Sequence, residues 1–238
     1  MRNIYQDIIE SVKTGKKLLA VLLDPDKFQI ETTQNIVEKI NASKATHIFV
    51  GGSQVEDCKT DLLVSEIKKF TTLPIILFPG DINQISDNAD AILFLSLISG
   101  TNPDYLIGKQ IEAVAKLKKT SLEIISTGYV LIENGKETAV QKVTSTMPLS
   151  KHSVQKISDT AKAGEYLGMK LIYLEAGSGA HEPISASIIN SIKNDIKVPL
   201  LVGGGIRTKE QIKYAYNAGA DLVVIGTAFE EDQTFFDN

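Results

Sequence analysis

The chain has 238 residues, 43% of them hydrophobic, with 25 basic against 29 acidic side chains and a net charge of -4. That length and apolar content suffice for one large α/β domain with a sizeable core, and the acidic balance argues against a nucleic-acid surface, which needs clustered Lys and Arg. Its longest apolar runs span about six to nine residues, far short of the ~20 that cross a bilayer, so no stable membrane insertion is expected.

The opening segment MRNIYQDIIE is polar and amphipathic, without the continuous apolar core of a secretion signal. A lone cysteine, Cys58, can form no internal disulfide, so a reducing, cytoplasmic setting is expected. Then come KLLAVLLD (17–24), a helical stretch TTQNIVEKINAS, THIFVGG (46–52), a second helical stretch EDCKTDLLVSEIKKF and PIILFPG (74–80). Only PGDINQISDNA separates this third run from ADAILFLS (89–96). That is too short for a covering helix with its loops, so the third helix is expected to be missing or reduced. After the helical NPDYLIGKQIEAVAKLKK the fifth run, SLEIIST (121–127), leads into GYVLIENGKETAVQKVTSTMP. There Asn134-Gly135 between two β-prone stretches predicts a tight hairpin over the functional face. The rest alternates again: SKHSVQKISDTAKAGEYLG, KLIYLEAG (170–177), PISASIINSIKN, VPLLVGGG (198–205), TKEQIKYAYNAG and ADLVVIGT (220–227).

Continuous rather than alternating hydrophobicity marks strands buried on both faces, as in a parallel sheet covered by helices. Eight such strands alternating with helices predict an α/β (β/α)8 TIM barrel, with a doubly wound open sheet as the other arrangement of these elements. No composition shift or linker interrupts residues 1–238, which are read as a single domain. The KLKK run at 116–119 reads as a solvated helix face, and apolar residues on DYLIGKQIEAV suggest self-association into a homo-oligomer.

Barrel chemistry sits at the carboxyl ends of the strands. Those ends read LLDPDK, VGGSQ, YLEAGSGA, VGGGIR and VIGTAFE. Small residues in the last three offer backbone N–H groups at helix mouths, where an anion is favoured. They suggest one phosphate cradle, although glycines at strand exits also serve simply to turn the chain. Asp24, held by the following proline, and Ser53 on the neighbouring strand suit a magnesium ion that shares its coordination with substrate phosphates. Asp24 and Asp26 would equally serve as helix caps. His47, His152 and His181 are scattered, so no zinc site is expected, and no nucleophile with an adjacent base stands at a strand end.

Taken in order, LLDPDK, FVGGSQ, FPGD, YLEAGSGA, LLVGGGIR and GADLVVIGTAFEE resemble the geranylgeranylglyceryl phosphate synthases over nearly the whole chain. The resemblance implies a modified barrel in which the C3 hydroxyl of sn-glycerol 1-phosphate is alkylated by geranylgeranyl diphosphate or a similar polyprenyl diphosphate, with Mg2+ as cofactor. It implies Asp24 and Ser53 as metal ligands. It implies Tyr173, Leu174, Glu175, Ala176, Gly177, Ser178, Gly179, Gly204, Gly205, Gly226 and Thr227 as the glycerol phosphate site, with Glu175 at the hydroxyl end as a general base or a hydroxyl ligand. Walls of a prenyl groove are sought in Phe94, Leu97, Ile98, Tyr105 and Tyr129. A different phosphate-binding barrel, an isomerase or lyase of sugar phosphates, or a catalytically silent phosphate-binding barrel, shares the GGGIR and IGTAFE signals.

Overall fold

The computed structural model describes residues 3–135, 137–178, 180–226, 229 and 235. Eight parallel strands close into a barrel in chain order: β1 (Leu18–Leu23), β2 (His47–Val50), β3 (Ile75–Leu77), β4 (Ala91–Leu97), β5 (Glu123–Leu131), β6 (Leu171–Glu175), β7 (Leu200–Gly203) and β8 (Leu222–Ile225). Closure runs through β1 and β8, with Leu18 opposite Leu222 and Val21 opposite Ile225.

The double burial inferred from the apolar runs is visible residue by residue. On β1, Leu19, Val21 and Leu23 join an outer core under the helices, whereas Leu18 and Ala20 join an inner core with Phe49, Leu93, Leu201 and Leu222. The opening segment forms α1 (Ile4–Lys13), whose Ile4 and Ile8 enter that inner core. The helix plugs the floor of the barrel and leaves the opposite mouth for function. Its first N–H groups are satisfied across the chain: Ile4 and Tyr5 donate to Glu123 at 2.6 and 3.0 Å.

The outer ring comprises α2 (Thr33–Ala42), α3 (Lys59–Ile67), α4 (Lys109–Leu117), α6 (Val154–Tyr166), α7 (Ala186–Asp195) and α8 (Lys209–Ala218), with α5 (Ala139–Thr144) lying after β5. Between β3 and β4 a single 3-10 turn, Ile82–Gln84, replaces the helix, as the short spacing predicted. The turn is fixed by polar side chains. Gln84, 1% exposed, accepts from the N–H groups of Gly52 and Gly80 and donates to the Gly52 carbonyl at 2.8 Å.

Among the described residues the predicted hairpin after β5 is not formed. β5 continues past Thr127 to Leu131, and Ile132 makes a parallel bridge to Leu149. The chain between them carries α5, opened by Thr138, whose hydroxyl accepts from Gln141 N–H at 3.1 Å. Helix wins here because Val140, Val143 and Thr144 fall on one helical face and cover an apolar groove at the barrel mouth. Two further bonds hold α5 down: Tyr105 to the Val143 carbonyl at 3.2 Å and Asn102 to the Thr144 carbonyl at 2.8 Å.

Candidate active site

At the carboxyl ends of the strands lies a polar cleft of about 1240 Å³, open to solvent. Asp24, Ser53, Tyr173, Glu175, Ser178, Gly204, Gly205 and Gly226 all line it, so residues from five strand exits converge as the sequence suggested. Leu174, Ala176 and Gly177 do not. Side chains alternate across a strand, so Tyr173 and Glu175 point inward while Leu174 and, beyond the strand, Ala176 pack into the outer core. The Gly177 N–H is committed to Glu175 Oε1 at 2.6 Å. Gly179 and Thr227 lie outside the described residues.

Glu175 is the electrostatic centre of the cleft. It is 7% exposed, and burial pushes its carboxyl up to about 7, against the pull of hydrogen bonds from Gly177 N–H and the hydroxyls of Tyr173 and Tyr129. Burial, reinforced by the charge of Glu175, raises both tyrosines well above their ordinary range, so they remain protonated donors to the carboxylate. Their rings stack 5.4 Å apart with planes 16° from parallel. The GGG run makes this cluster possible. A β-carbon at Gly203 would overlap the Tyr173 hydroxyl, and one at Gly204, whose φ is +82°, would overlap Glu175 Oε1. These glycines therefore house the carboxylate and its donor as well as shaping a turn.

Asp24 faces the cleft from the other side. Its Oδ1 accepts from Asp26 N–H at 3.2 Å, and its Oδ2 lies 3.4 Å from Lys27 Nζ. A β-carbon on Gly52 would stand 2.9 Å from Asp24 Oδ1, so the glycine keeps that carboxylate face open towards Ser53. No group of three or more His, Cys, Asp or Glu side chains occurs at metal-binding spacing among the described residues. A carboxylate and a hydroxyl, both hard oxygen donors, fit an ion that takes its other ligands from substrate oxygens and water.

A second cavity of about 870 Å³ adjoins the first where the third helix is reduced. Its walls are mainly apolar, from β4, α4 and α5, and include Phe94, Leu97, Tyr105 and Tyr129 from the sequence-derived set. Ile98 is not among them. A β-carbon at Gly128 or Gly164 would come 2.8 Å from Ile98 Cδ1, which places that side chain on the outer side, between β5 and α6. Lys109 of α4 pairs with Asp81 at 3.2 Å beside the groove. The cleft wall also holds Arg207, Lys27 and Phe78, which sequence reasoning passes over. Arg207 carries a usable signal, a cation two residues after the last glycine of the GGG turn, whereas Phe78 looks like one more apolar strand residue.

A cleft with a buried carboxylate, adjoining a mainly apolar groove in a closed (β/α)8 barrel, is the architecture of a barrel enzyme for substrates that are polar at one end and apolar at the other. Residues 11–238 match the PcrB family, and the chain belongs to it. A geranylgeranylglyceryl phosphate synthase from Flavobacterium johnsoniae is 57% identical over 238 residues, covering 100% of this chain and 98% of that protein. The (S)-3-O-geranylgeranylglyceryl phosphate synthase of Thermoplasma acidophilum, solved in complex with its substrate sn-glycerol-1-phosphate, superposes with a TM-score of 0.93 at 30% identity, covering 100% of this chain and 95% of that one. The wild-type GGGPS from Thermoplasma volcanium gives 0.92 at 32% identity, covering 99% and 94%. The chain is a prenyltransferase of the ether-lipid type. Among the described residues no helix is long and apolar enough to cross a membrane.

Proposed function

We propose that the protein joins the C3 hydroxyl of sn-glycerol 1-phosphate to a polyprenyl diphosphate, geranylgeranyl diphosphate or a close homologue, releasing diphosphate. The observation that carries this reading is the union of the two cavities: a cleft with a buried base at its centre, continuous with an apolar groove where a barrel helix is reduced. The phosphate of the acceptor binds at Ser178, Gly204, Gly205 and Gly226, with Gly179 and Thr227 included on their sequence positions and Arg207 adding a positive charge. Glycerol then spans the cleft, and its far hydroxyl meets Glu175. As the ether bond forms, the hydroxyl proton passes to the Glu175 carboxylate, whose value near 7 suits a base at neutral pH. Tyr173 and Tyr129 hold that carboxylate in one orientation.

Asp24 and Ser53 would hold Mg2+, which when bound neutralises the departing diphosphate. The isoprenoid tail lies in the groove, where each buried methylene contributes ~0.8 kcal/mol. Residues 1–238 act as one domain in the cytoplasm. Self-association through α4 is supported by its exposed Ile111 and Val114, with Ile107 just before the helix, and sedimentation of an Ile111→Lys variant as a smaller species tests it.

The direct experiment combines purified protein, Mg2+, sn-glycerol 1-phosphate and geranylgeranyl diphosphate, and expects a prenyl ether and diphosphate. Absence of product with every prenyl diphosphate of about 15 to 35 carbons, a range around the groove's capacity, would overturn the proposal. Omission of the metal, or Asp24→Asn, is expected to abolish turnover while glycerol phosphate still binds.

A further inference from the structure

We propose that the ring of Phe78, with that of Tyr129 facing it, is a catalytic group that stabilises positive charge on the allylic carbon of the prenyl substrate. The inference rests on the proposed function and adds to it a group that touches the reacting carbon. The apolar groove and the polar cleft share five lining residues: Gly52, Ser53, Phe78, Tyr129 and Val140. A prenyl diphosphate laid with its tail in the groove and its diphosphate in the cleft must place its first carbon, the one that exchanges oxygens, at this junction.

The chemistry of the junction is specific. Ser53 and the Gly52 backbone face the polar side, and Val140 offers only methyl groups. Asp24 and Glu175 line the cleft alone, while Asp81 lines the groove alone and is paired with Lys109. No carboxylate among the described residues lines both cavities. Two aromatic rings do. Their centroids are 6.0 Å apart with planes tilted 51°, and Phe78 also packs against Tyr173 at 5.1 Å and Phe49 at 6.3 Å. A cation within about 6 Å of a ring centroid is attracted by the negative face of the ring, and a carbon at the junction falls within that reach of both. Phe78 follows β3 directly, and its ring packs against the inner core while lining the groove.

The step balances without a further reactant. The carbon–oxygen bond breaks with its electron pair going to diphosphate, which leaves an allylic cation beside the rings. A lone pair of the glycerol hydroxyl forms the new bond, and the proton goes to Glu175. The rings act only while the charge exists, so their effect belongs to the transition state.

The test is a series of proteins in which Phe78 is replaced by mono-, di- and trifluorinated phenylalanine, which keep the ring's shape while draining its face of electron density. Single-turnover rates are expected to fall steadily along the series, by about tenfold in all. Melting temperature and the Kd for geranylgeranyl diphosphate should stay constant. Phe78→Leu, which fills similar space without a π face, should lose at least as much rate with the same affinity, and Phe78→Tyr should regain it. A flat series, or a rate loss matched by an equal loss of affinity, would overturn the role of Phe78. The unsubstituted protein separates this from the parent reading: if it forms the ether, the function stands whatever the series does, and if it does not, function and role fall together.

Discussion

Replacing Glu175 by Gln isolates the penalty of keeping a carboxylate in a nearly dry site. Burial raises this group from 4.5 to about 7, a difference worth ~3 kcal/mol at ~1.4 kcal/mol per pH unit. Its folded-state value lies above the unfolded one, so the associated stability is fully present below about pH 4.5 and is lost as pH rises towards 7. Above 7 both states are ionised and the loss is constant. The amide of Glu175→Gln would keep the shape and the bond from Gly177 without ionising. Urea unfolding of both proteins at about pH 5 and about pH 8.5 should therefore show the variant gaining ~2–3 kcal/mol on the wild type between the two conditions. The same titration must appear in kinetics. Wild-type kcat/KM should climb about tenfold per pH unit below 7 and then level off, whereas the variant loses that limb and loses more in turnover than in glycerol phosphate affinity. Parallel stability curves for the two proteins would refute the burial argument. Equal losses in turnover and affinity would leave Glu175 as a hydroxyl ligand.

Removing the Tyr129 hydroxyl with Phe takes away a bond that lowers the Glu175 value, so the acid limb of the pH–rate profile should move to higher pH; an unmoved limb contradicts the assigned hydrogen bond. Gly204→Ala places a β-carbon against Glu175 Oε1 at a backbone φ of +82°, and should cost ~1–3 kcal/mol in strain together with most of the turnover, measured by urea melts and initial rates; retained activity would show that the carboxylate does not need that space. Gln84→Ala strands the Gly52 and Gly80 N–H groups and the Gly52 carbonyl, with an expected loss of roughly 2–4 kcal/mol and a raised KM for the prenyl diphosphate; a KM change confined to glycerol phosphate would be the contrary result. Lys109→Ala removes a surface-side ion pair and should shift stability by less than about 1 kcal/mol.

Much of this architecture is written in the sequence because one physical condition, burial on both faces, stamps each strand with an unbroken apolar run. A closed barrel then gathers every strand exit at one mouth, so Asp24, Ser53, Glu175 and Gly204 can be collected without knowing a single distance. What the runs conceal is where a strand ends. Ser-Thr-Gly looks like an exit for β5, yet Thr127 is fully buried and its hydroxyl is satisfied within the strand by the Ile125 carbonyl at 2.9 Å. Ending the strand there conceals the partnership of Tyr129 with Glu175, because Tyr129 stands two residues further along the inner face.

The hairpin error has the same root and a legible remedy. Asn134-Gly135 announces a turn, but a turn does not specify the element after it, and β-branched residues serve a short helix when each covers an apolar surface. Thr138-Ala-Val-Gln141 carries the spacing of a helix start, a capping hydroxyl three residues before Gln, and this local signal outweighs β propensity, which depends more on context. Phe78 is the harder case. Nothing in its neighbours distinguishes it from any strand-end aromatic, because its significance comes from two cavities meeting beside it, and that meeting depends on a helix that is reduced. An omission leaves its mark in loop length, which the sequence shows, and in the surfaces it uncovers, which only the packed barrel reveals.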